Sequence, residues 1–405
     1  MTKQMKSIAQ LAEEMQRHLT TNILPFWMNE VRDGMGGFYG RISGEGEVFG
    51  DADRGAILYS RILWTFSAAY RILGNPEYLE CAEDAKNWIL KYFYDYEYGG
   101  VYWSVSSSGQ PKDTKKQSYA IGFAIYGLSE HHRATGNPES LEYAIRLFES
   151  LELHARDRLN GGYFEAAARD WTELKDVRLS GKDENAPKTM NTHLHILEPY
   201  TNLYRVWKSP ELRERIVDLL DIFFNKIKSP TNHHLGLFFD EYWHPTSSQT
   251  YSYGHDIEAS WLLLEAATVL SDSSLVEKTK PECREIASAA LEGYFPDGSL
   301  AYERKADGSL DAERHWWVQA ESEVGLAWLF ARHGLSEYLP MMNRTWQYIL
   351  DNLVDNNNGE WFWSIKENGS VNLSDDKAGF WKCPYHNSRM CLELVQLAKA
   401  GTLKL

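Results

Sequence analysis

The fold is decided by residues 116–158, which read KQSYAIGFAIYGLSEHHRATGNPESLEYAIRLFESLELHARDR. Apolar residues recur at helical spacing on both sides of a central break. They are Ala120, Phe123, Ala124, Gly127 and Leu128 before the break, and Leu141, Ala144, Ile145, Phe148 and Leu151 after it. The break is Gly136-Asn137-Pro138, a sequence typical of the end of one helix and the start of the next. The segment therefore predicts a helical hairpin.

Glycine-aromatic turns repeat along the whole chain. They begin at residues 36, 99, 161, 236, 298 and 359, so successive starts differ by 63, 62, 75, 62 and 61 residues. Gly74-Asn75-Pro76 also precedes Gly136-Asn137-Pro138 by 62 residues. Such self-similarity is the sequence signature of a repeat architecture. We interpret the chain as six units of about 62 residues, each a helical hairpin followed by a short strand or β-turn.

Six hairpins in sequence form either an open solenoid or a closed ring. Closure is favoured because a solenoid needs distinct capping units, and because an inner ring of helices gives the many aromatic residues a central cleft to line. The sequence thus predicts a single all-α domain over residues 1–405. Its inner helices are expected to begin near residues 54, 116, 190, 253, 316 and 384, with their N-termini at the same end of the ring.

Composition excludes several classes of protein. The formal net charge of −15 argues against nucleic acid as a partner, since nucleic-acid binders carry basic patches. No stretch approaches the roughly 20 apolar residues of a membrane span, and the N-terminal MTKQMK is not the start of a signal peptide. We therefore expect a cytoplasmic protein without membrane contact. The four cysteines form no CxxC pair and are expected to be reduced.

The first candidate site lies in YGHDIEASWLLLE, residues 253–265. His255 and Glu258 are three residues apart, so both project from one face of the first helical turn. This arrangement suits proton transfer, although for a single histidine the favoured explanation is capping of the helix or a bond to a neighbouring carbonyl.

Histidines recur at the start of two other predicted inner helices, each with polar residues on the same helical face. The sets are Asn191, His195 and Glu198 in MNTHLHILE, and His386 and Arg389 in PYHNSR. Three of the 13 histidines in such positions favour an acid-base site over accidental packing.

Aromatic and polar residues beside these histidines are suited to a sugar ligand. Trp316, Trp317 and Trp381 offer apolar faces for a sugar ring, and Glu321 is a candidate for its hydroxyls. The alternative for each tryptophan is a place in the core between helices. Arg61 lies in an otherwise apolar helix and needs an anionic or oxygen-rich partner, either a ligand or a buried carboxylate.

A metal site is the weaker interpretation of the histidines. His193 and His195 are two residues apart and so point to different faces of a helix, and HExxH spacing is absent. The sequence also contains no GxSxG, no Walker loop and no GxGxxG after a strand. We therefore predict neither a metal nor another cofactor, and a small sugar as the partner.

Specific motifs of the chain resemble the N-acylglucosamine 2-epimerase superfamily, and within it the cellobiose 2-epimerases. The motifs extend from about residue 30 to the C-terminus. They are SRILWTFS (60–67), GGVYW (99–103), DTKKQ (113–117), MNTHLH (190–195), YGHDIE (253–258), WWVQAE (316–321) and PYHN (384–387). The resemblance implies an (α/α)6 barrel that requires neither metal nor nucleotide for sugar epimerisation.

The resemblance also implies roles for individual residues. His255 and His386 would be the two acid-base residues, with His195 and Glu258 assisting ring opening or proton positioning. The implied sugar contacts are Arg61, Tyr119, Asn191, one of Trp316 and Trp317, and Trp381.

The predicted activity is epimerisation at C2 of the reducing-end sugar, which converts cellobiose to 4-O-β-D-glucosyl-D-mannose through an enediol intermediate. A monosaccharide 2-epimerase and an aldose-ketose isomerase of the same superfamily are the alternatives. More distant alternatives are a glycoside hydrolase that uses a carboxylate pair among Glu258, Glu321 and Glu323, and a sugar-binding protein without catalysis.

Overall fold

The computed structural model describes residues 5–246 and 250–402. The ends of the predicted 1–405 domain, including Met1–Gln4 of the N-terminal segment, lie outside the described residues. Six helices form an inner ring, and they begin within two residues of the predicted positions. They are α3 (Ala56–Leu73), α5 (Ser118–Thr135), α7 (Met190–Val206), α9 (Tyr253–Val269), α11 (Trp316–Ala331) and α13 (Tyr385–Thr402).

An outer layer of helices packs around the inner ring. It consists of α1 (Ile8–His18), α4 (Pro76–Trp88), α6 (Pro138–His154), α8 (Pro210–Ile222), α10 (Ser273–Ala290) and α12 (Leu339–Tyr348), with the short α2 (Leu24–Asn29) following α1. Single π-helical turns extend α1, α4, α8 and α12 at Leu19–Ile23, Ile89–Phe93, Phe223–Ile227 and Ile349–Leu353, and 3₁₀ turns lie at Leu291–Gly293 and Ser336–Tyr338. The proline at the first position of α4, α6 and α8 suits a helix start, because its missing N–H has no partner there.

The ring is closed, which confirms the predicted (α/α)6 barrel. Each inner helix contacts the next, and α13 returns to contact α3. The sequence predicted six hairpins in succession, whereas the structure builds the sixth from the two ends of the chain, because α1 packs on α13. This pairing is invisible to a search for repeats, since it joins segments that are more than 360 residues apart.

Two-residue strands lead into five of the inner helices. The pairs are β1 (Arg54–Gly55) with β2 (Ser104–Val105), β3 (Lys116–Gln117) with β4 (Ala166–Ala167), β5 (Lys188–Thr189) with β6 (Phe238–Phe239), and β10 (Arg314–His315) with β11 (Ser364–Ile365). A three-stranded sheet joins β7 (Tyr251–Ser252), β8 (Glu303–Arg304) and β9 (Leu310–Asp311). All pairs are antiparallel. They place the N-termini of these inner helices at one end of the barrel.

The fourth residue of four inner helices holds the backbone of a glycine-aromatic turn. Backbone N–H groups donate from Phe38 to Tyr59 Oη (2.8 Å), from Tyr163 to His193 Nε2 (2.9 Å), from Leu235 to Asp256 Oδ1 (3.0 Å) and from Leu300 to Gln319 Oε1 (2.8 Å). Because these side chains are buried and fully engaged, they fix the height of each helix relative to its turn. The residues beside them are thereby set at the open end of the barrel.

Buried ion pairs join a cation that precedes an inner helix to an aspartate in an earlier turn. The pairs are Arg54–Asp33, Lys116–Asp95, Lys188–Asp157 and Lys377–Asp355, and α3 and α7 carry both an ion pair and the backbone contact described above. The four cysteines are buried and unbridged. No helix among the described residues is long and apolar enough to cross a membrane.

Candidate active site

A cavity of about 380 Å³ opens at the N-terminal ends of the inner helices. Ten of the eleven residues predicted to form the site line this cavity. They are Arg61, Tyr119, Asn191, His195, His255, Glu258, Trp316, Trp317, Trp381 and His386. The eleventh, Glu321, is fully buried beneath the cavity. The three histidines come from α7, α9 and α13, so the ring of helices brings together residues that lie far apart in the sequence.

His386 is oriented by Glu321 from below. Its Nδ1 lies 2.7 Å from Glu321 Oε1, which accepts the Nδ1 proton when the carboxylate is ionised and leaves Nε2 as the base. Burial and the positive charges of Arg61 and Arg389 hold the pKa of His386 well below its ordinary value. Glu321 is therefore placed to position His386 and does not reach the cavity that a ligand would fill.

His195 lies one turn deeper in its helix than the sequence analysis expected. It is the sixth residue of α7, whereas His255 and His386 fall in the first turns of α9 and α13. Its Nδ1 contacts Glu198 Oε2 at 3.0 Å, and its Nε2 lies 3.9 Å from Glu258 Oε2. Burial lowers the pKa of His195, against the opposing effect of Glu198. The neutral imidazole thus hydrogen-bonds to Glu198 and faces Glu258 at the bottom of the cavity.

Arg389 forms the floor of the site. Its Nη2 lies 2.6 Å from Glu258 and 2.7 Å from Glu321, and its Nη1 contacts Glu198. Burial would raise the pKa of Glu198, yet Arg389 and His195 lower it to about 2. The pKa of Glu258 is raised well above its ordinary value by burial and by the charge of Glu321. Because three carboxylates share one guanidinium, the cluster has excess negative charge and can bind a proton.

His255 has the least hydrogen bonding of the three histidines. Its ring packs against Trp317 with centroids 4.8 Å apart, and Trp317 also lies 5.7 Å from the ring of His386. Its Nδ1 has no hydrogen-bond partner within residues 5–246 and 250–402. Burial and the proximity of His195 lower the pKa of His255 to about 3. A neutral imidazole at this position is ready to accept a proton.

Arg61 provides positive charge at the edge of the cavity. It donates to Tyr119 Oη at 2.8 Å and stacks over Phe123 at 4.1 Å, and no carboxylate pairs with it among the described residues. The sequence left open whether its partner is a ligand or a buried carboxylate. Asn191 Oδ1 is likewise buried without a partner in the described part of the chain. Both side chains are available to an oxygen-rich ligand.

The carboxylates of the floor also raise the question of a metal. In the described part of the chain, potential ligand atoms of Glu258, Glu321 and His386 lie within 4.8 Å of one another. Arg389 Nη2 already contacts both glutamates, and its charge would repel a divalent cation from the same oxygens. The donor set is therefore matched to a guanidinium and fits a metal poorly.

The structure adds residues that sequence reasoning missed. The segment 179–183 lines the cavity, and so do Tyr302 and Trp363. A second cavity of about 430 Å³ shares Asn191 and His255 with the first. Tyr302 belongs to a glycine-aromatic turn that the sequence displayed, but its orientation toward the cavity depends on the three-stranded sheet. Segment 179–183 carried no motif that could have indicated it.

Tryptophan was the least specific sequence signal. Trp27, Trp261, Trp346 and Trp361 are among the largest fully buried side chains, as the core interpretation of single tryptophans anticipates. Trp261 lies on inner helix α9, so the inner ring alone does not mark a cavity residue. The indoles at the cavity are those that open α11, Trp316 and Trp317, and those in loops, Trp363 and Trp381.

Comparisons with known proteins identify the family of this chain and agree with its fold. The sequence profile of the N-acylglucosamine 2-epimerase (GlcNAc 2-epimerase) family matches residues 37–389. The chain is 56% identical to the cellobiose 2-epimerase of Bacteroides fragilis over 387 residues, which is 95% of this chain and 98% of that protein. It superimposes on the structure of cellobiose 2-epimerase from Bacillus thermoamylovorans B4167 with a TM-score of 0.92, at 39% identity, covering 96% of this chain and 99% of the other.

A more distant structure shares the fold. A D-mannose isomerase aligns with a TM-score of 0.84 at 20% identity, over 95% of this chain and 97% of that one. The profile match and the 56% identity together decide the assignment: this chain belongs to the N-acylglucosamine 2-epimerase family.

Proposed function

We propose that the chain is an isomerase that epimerises cellobiose at C2 of its reducing-end residue and yields 4-O-β-D-glucosyl-D-mannose. The observation that carries the proposal is the convergence of His195, His255 and His386 on one cavity with indoles in its wall. Its relatives named cellobiose 2-epimerase support the choice of substrate.

Ring opening comes first, because only the open-chain aldehyde acidifies the proton at C2. One group must remove the proton of the anomeric hydroxyl while another delivers a proton to the ring oxygen. His195 and Glu258 are suited to this exchange, since their Nε2 and Oε2 atoms lie 3.9 Å apart and both residues line the cavity. The raised pKa of Glu258 favours its role as the proton donor.

Epimerisation then requires a base on one face of C2 and an acid on the other. One imidazole removes the C2 proton, the electron pair of the C–H bond forms the C1–C2 double bond, and the carbonyl oxygen becomes an oxyanion. After rotation about the C2–C3 bond, the second imidazole returns a proton to C2 and the carbonyl reforms. His255 and His386 come from different helices of the ring. When His386 is the acid, its Nε2–H goes to C2 while a protonated Glu321, whose pKa burial raises, passes its proton to Nδ1.

The oxyanion at C1 needs preorganised donors. Arg61 has its charge uncompensated by any carboxylate among the described residues, and Asn191 lines the same cavity. Both are proposed to stabilise the enediolate more strongly than the neutral sugar, which is the requirement for lowering the barrier.

The second cavity favours a disaccharide over a monosaccharide. It continues from Asn191 and His255 and is lined by charged and polar side chains, including Asp183 and Glu303. A sugar linked through O4 of the reducing-end residue could extend into this space, where carboxylates can accept hydrogen bonds from its hydroxyl groups.

A glycoside hydrolase is less well supported. Its two carboxyl groups would flank the scissile bond, roughly 5–10 Å apart. Glu258 and Glu321 instead lie together against Arg389, and neither Glu321 nor Glu323 lines the cavity.

Incubation of the pure protein with cellobiose in deuterated water tests the proposal. We expect 4-O-β-D-glucosyl-D-mannose with deuterium at C2, detected by NMR. Release of glucose would indicate hydrolysis, and a deuterated ketose as the main product would indicate an aldose-ketose isomerase. Recovery of unlabelled cellobiose alone would contradict catalysis. Mannose and glucose in parallel reactions measure the contribution of the second sugar.

A further inference from the structure

Glu165 has a fully engaged carboxylate at the start of helix α7. Its Oε1 accepts from the backbone N–H and from the hydroxyl of Thr189, both at 2.9 Å, and its Oε2 accepts from the hydroxyl of Thr192 at 2.7 Å. Thr189 is the N-cap of α7, and its hydroxyl oxygen accepts from the N–H of Thr192 at 3.1 Å. The carboxylate therefore fixes the orientation of the capping hydroxyl as well as the path of the chain.

The backbone of Glu165 ties two further segments to the same point. Its carbonyl oxygen accepts from the N–H of Ser118, the first residue of α5, at 2.9 Å. Its N–H donates at 3.0 Å to the carbonyl of Pro187, which ends the loop that contains the cavity-lining segment 179–183. One residue thus joins the starts of two inner helices to the end of that loop.

The residues next to these contacts belong to the site. Asn191 stands between Thr189 and Thr192 on α7, and Tyr119 follows Ser118 on α5. Glu165 itself does not line the cavity that holds the histidines. It lines the second cavity and, on its other side, a third cavity of about 440 Å³. Open space on both sides means that packing alone does little to hold this junction, and its hydrogen bonds must do so.

We propose that Glu165 is a positioning residue for epimerisation, which holds Asn191 at its place in the cavity by fixing the first turn of α7. The inference rests on the proposed function for its kinetic consequence. Burial also raises the pKa of Glu165 to about 8, although its hydrogen bonds with Thr192 and Thr189 act in the opposite direction. Burial of this carboxyl group therefore costs folding free energy, which its hydrogen bonds must offset.

Glu152 offers a matched control. It is also a buried carboxylate that accepts from hydroxyl groups, Tyr163 Oη at 2.5 Å and Tyr200 Oη at 2.8 Å, and burial likewise raises its pKa. It belongs to outer helix α6 and lies outside the lining of the three cavities named above. Glu152→Gln should lower the melting temperature while the folded protein keeps its turnover and its affinity for sugar.

The test is a double-mutant cycle with Glu165→Ala and Asn191→Ala, measured at a temperature where every variant is folded by circular dichroism. Glu165→Gln serves as the milder variant, because its amide oxygen can still accept from Thr189 whereas its amide nitrogen cannot accept from Thr192. The measurements are kcat, KM and, by calorimetry, the Kd for cellobiose. A displaced contact group typically costs up to about 100-fold in kcat/KM.

We expect Glu165→Ala to lower kcat/KM by about 10- to 100-fold in the parent background. In the Asn191→Ala background the same change should have little further effect, because the group it positions is gone. Glu165→Gln should recover part of the loss. The inference would be overturned if the effects of the two substitutions were additive. It would also be overturned if Glu165→Ala, like Glu152→Gln, only lowered the melting temperature and left the kinetics unchanged.

The binding cycle separates this inference from the proposed function. A parent protein that binds cellobiose without exchanging its C2 proton would refute the function. The coupling between Glu165 and Asn191 would still be measured from the Kd values for cellobiose of the four proteins in the cycle. If the two substitutions changed Kd independently, the positioning role would be refuted.

Discussion

The two ends of the inner ring use the same kinds of side chain in opposite ways. At the C-terminal ends of the inner helices, Glu130 contacts Arg71 at 2.6 Å and Arg133 at 3.4 Å, and Arg205 contacts Glu265 at 2.6 Å. These cations and anions compensate one another. At the N-terminal end, four histidines with lowered pKa values (His195, His255, His315 and His386) and one arginine line a cavity, and three carboxylates share one guanidinium.

The charged groups at the two ends of the inner ring have different roles, one in stability and the other in catalysis. The Arg71–Glu130 and Arg205–Glu265 pairs at the far end hold neighbouring helices together. At the site, burial without full compensation shifts the pKa values of histidines downward and that of Glu258 upward. Perturbed groups of this kind are typical of functional sites. The comparison predicts that equivalent substitutions at the two ends will have different consequences.

The largest effect is expected from His255→Ala and His386→Ala. Each removes a group that acts mainly in the transition state, and loss of a positioned acid or base typically costs about 10²- to 10⁴-fold in kcat. Sugar affinity should change far less. Because the two residues act in one reaction, the double variant should be little worse than the worse single variant. Steady-state kinetics and calorimetry measure both quantities.

His131 is the control for the histidine variants. It is buried at the far side of α5, where its Nδ1 contacts Ser140 Oγ at 2.8 Å. His131→Gln should lower thermal stability and leave the turnover of the folded protein unchanged. If the His255 and His386 variants behave like His131→Gln and still exchange the C2 proton, Glu258 becomes the leading base.

A second difference is expected between Arg389→Ala and Arg205→Ala. Removal of Arg389 leaves three buried carboxylates without their cation, which should cost about 3–5 kcal/mol in the free energy of unfolding and abolish turnover. Removal of Arg205 breaks one partly exposed charged hydrogen bond and should cost about 1.5–3 kcal/mol without a kinetic change. Urea denaturation measures the free energy of unfolding of each variant, and the epimerisation assay measures its turnover.

Arg389→Lys distinguishes charge from geometry in the same experiment. Lysine keeps the positive charge but loses the planar fork that reaches three carboxylates. Stability close to that of the parent with normal turnover would show that the fork is unnecessary, and would contradict the role assigned to the floor.

Much of the fold was predictable because its signals are local. The stripes around Gly136-Asn137-Pro138 and the recurring glycine-aromatic turns depend on residues within one unit, and the inner helices begin where these patterns place them. The pairing of α1 with α13 was not predictable from repeats, because no local pattern records a contact between the two ends of a chain.

The site was predictable where it depends only on helical phase, that is, on the face of its helix that each residue occupies. Phase placed His255 and Glu258 on one face, and both line the cavity. Phase could not show that Glu321 lies beneath His386, since that depends on the relative heights of α11 and α13. Nor could it reveal Glu165 or segment 179–183, whose positions follow from loops between helices.

The pH dependence of activity sharpens the account of the histidines. Burial lowers the pKa of His255 from 6.5 to about 3 and lowers that of His386 in the same direction. The neutral, basic forms therefore persist as the pH falls, and the acid limb of kcat/KM for cellobiose should lie below pH 6.5. A limb at 6.5 or above would contradict the burial of these groups.

Stability sets the lower limit of that pH range. A histidine with a depressed pKa contributes stability that is present above pH 6.5, its unfolded value, and that is lost as the pH falls from there toward the folded value. The free energy of unfolding should therefore decrease over the same interval. Initial rates must be measured only where circular dichroism shows the folded state.

The smallest expected effect is that of metal removal. The oxygens of Glu258 and Glu321 that could bind a cation lie 2.6 Å and 2.7 Å from Arg389 Nη2, so a cationic group that cannot dissociate already occupies the position of a metal ion. Exhaustive dialysis against a chelator should leave kcat and KM for cellobiose unchanged. Loss of turnover that a divalent ion restores would mean that the floor rearranges to accept a metal and that His386 is a ligand. In that case His386→Ala would also abolish metal binding measured by calorimetry, whereas His255→Ala would leave it intact.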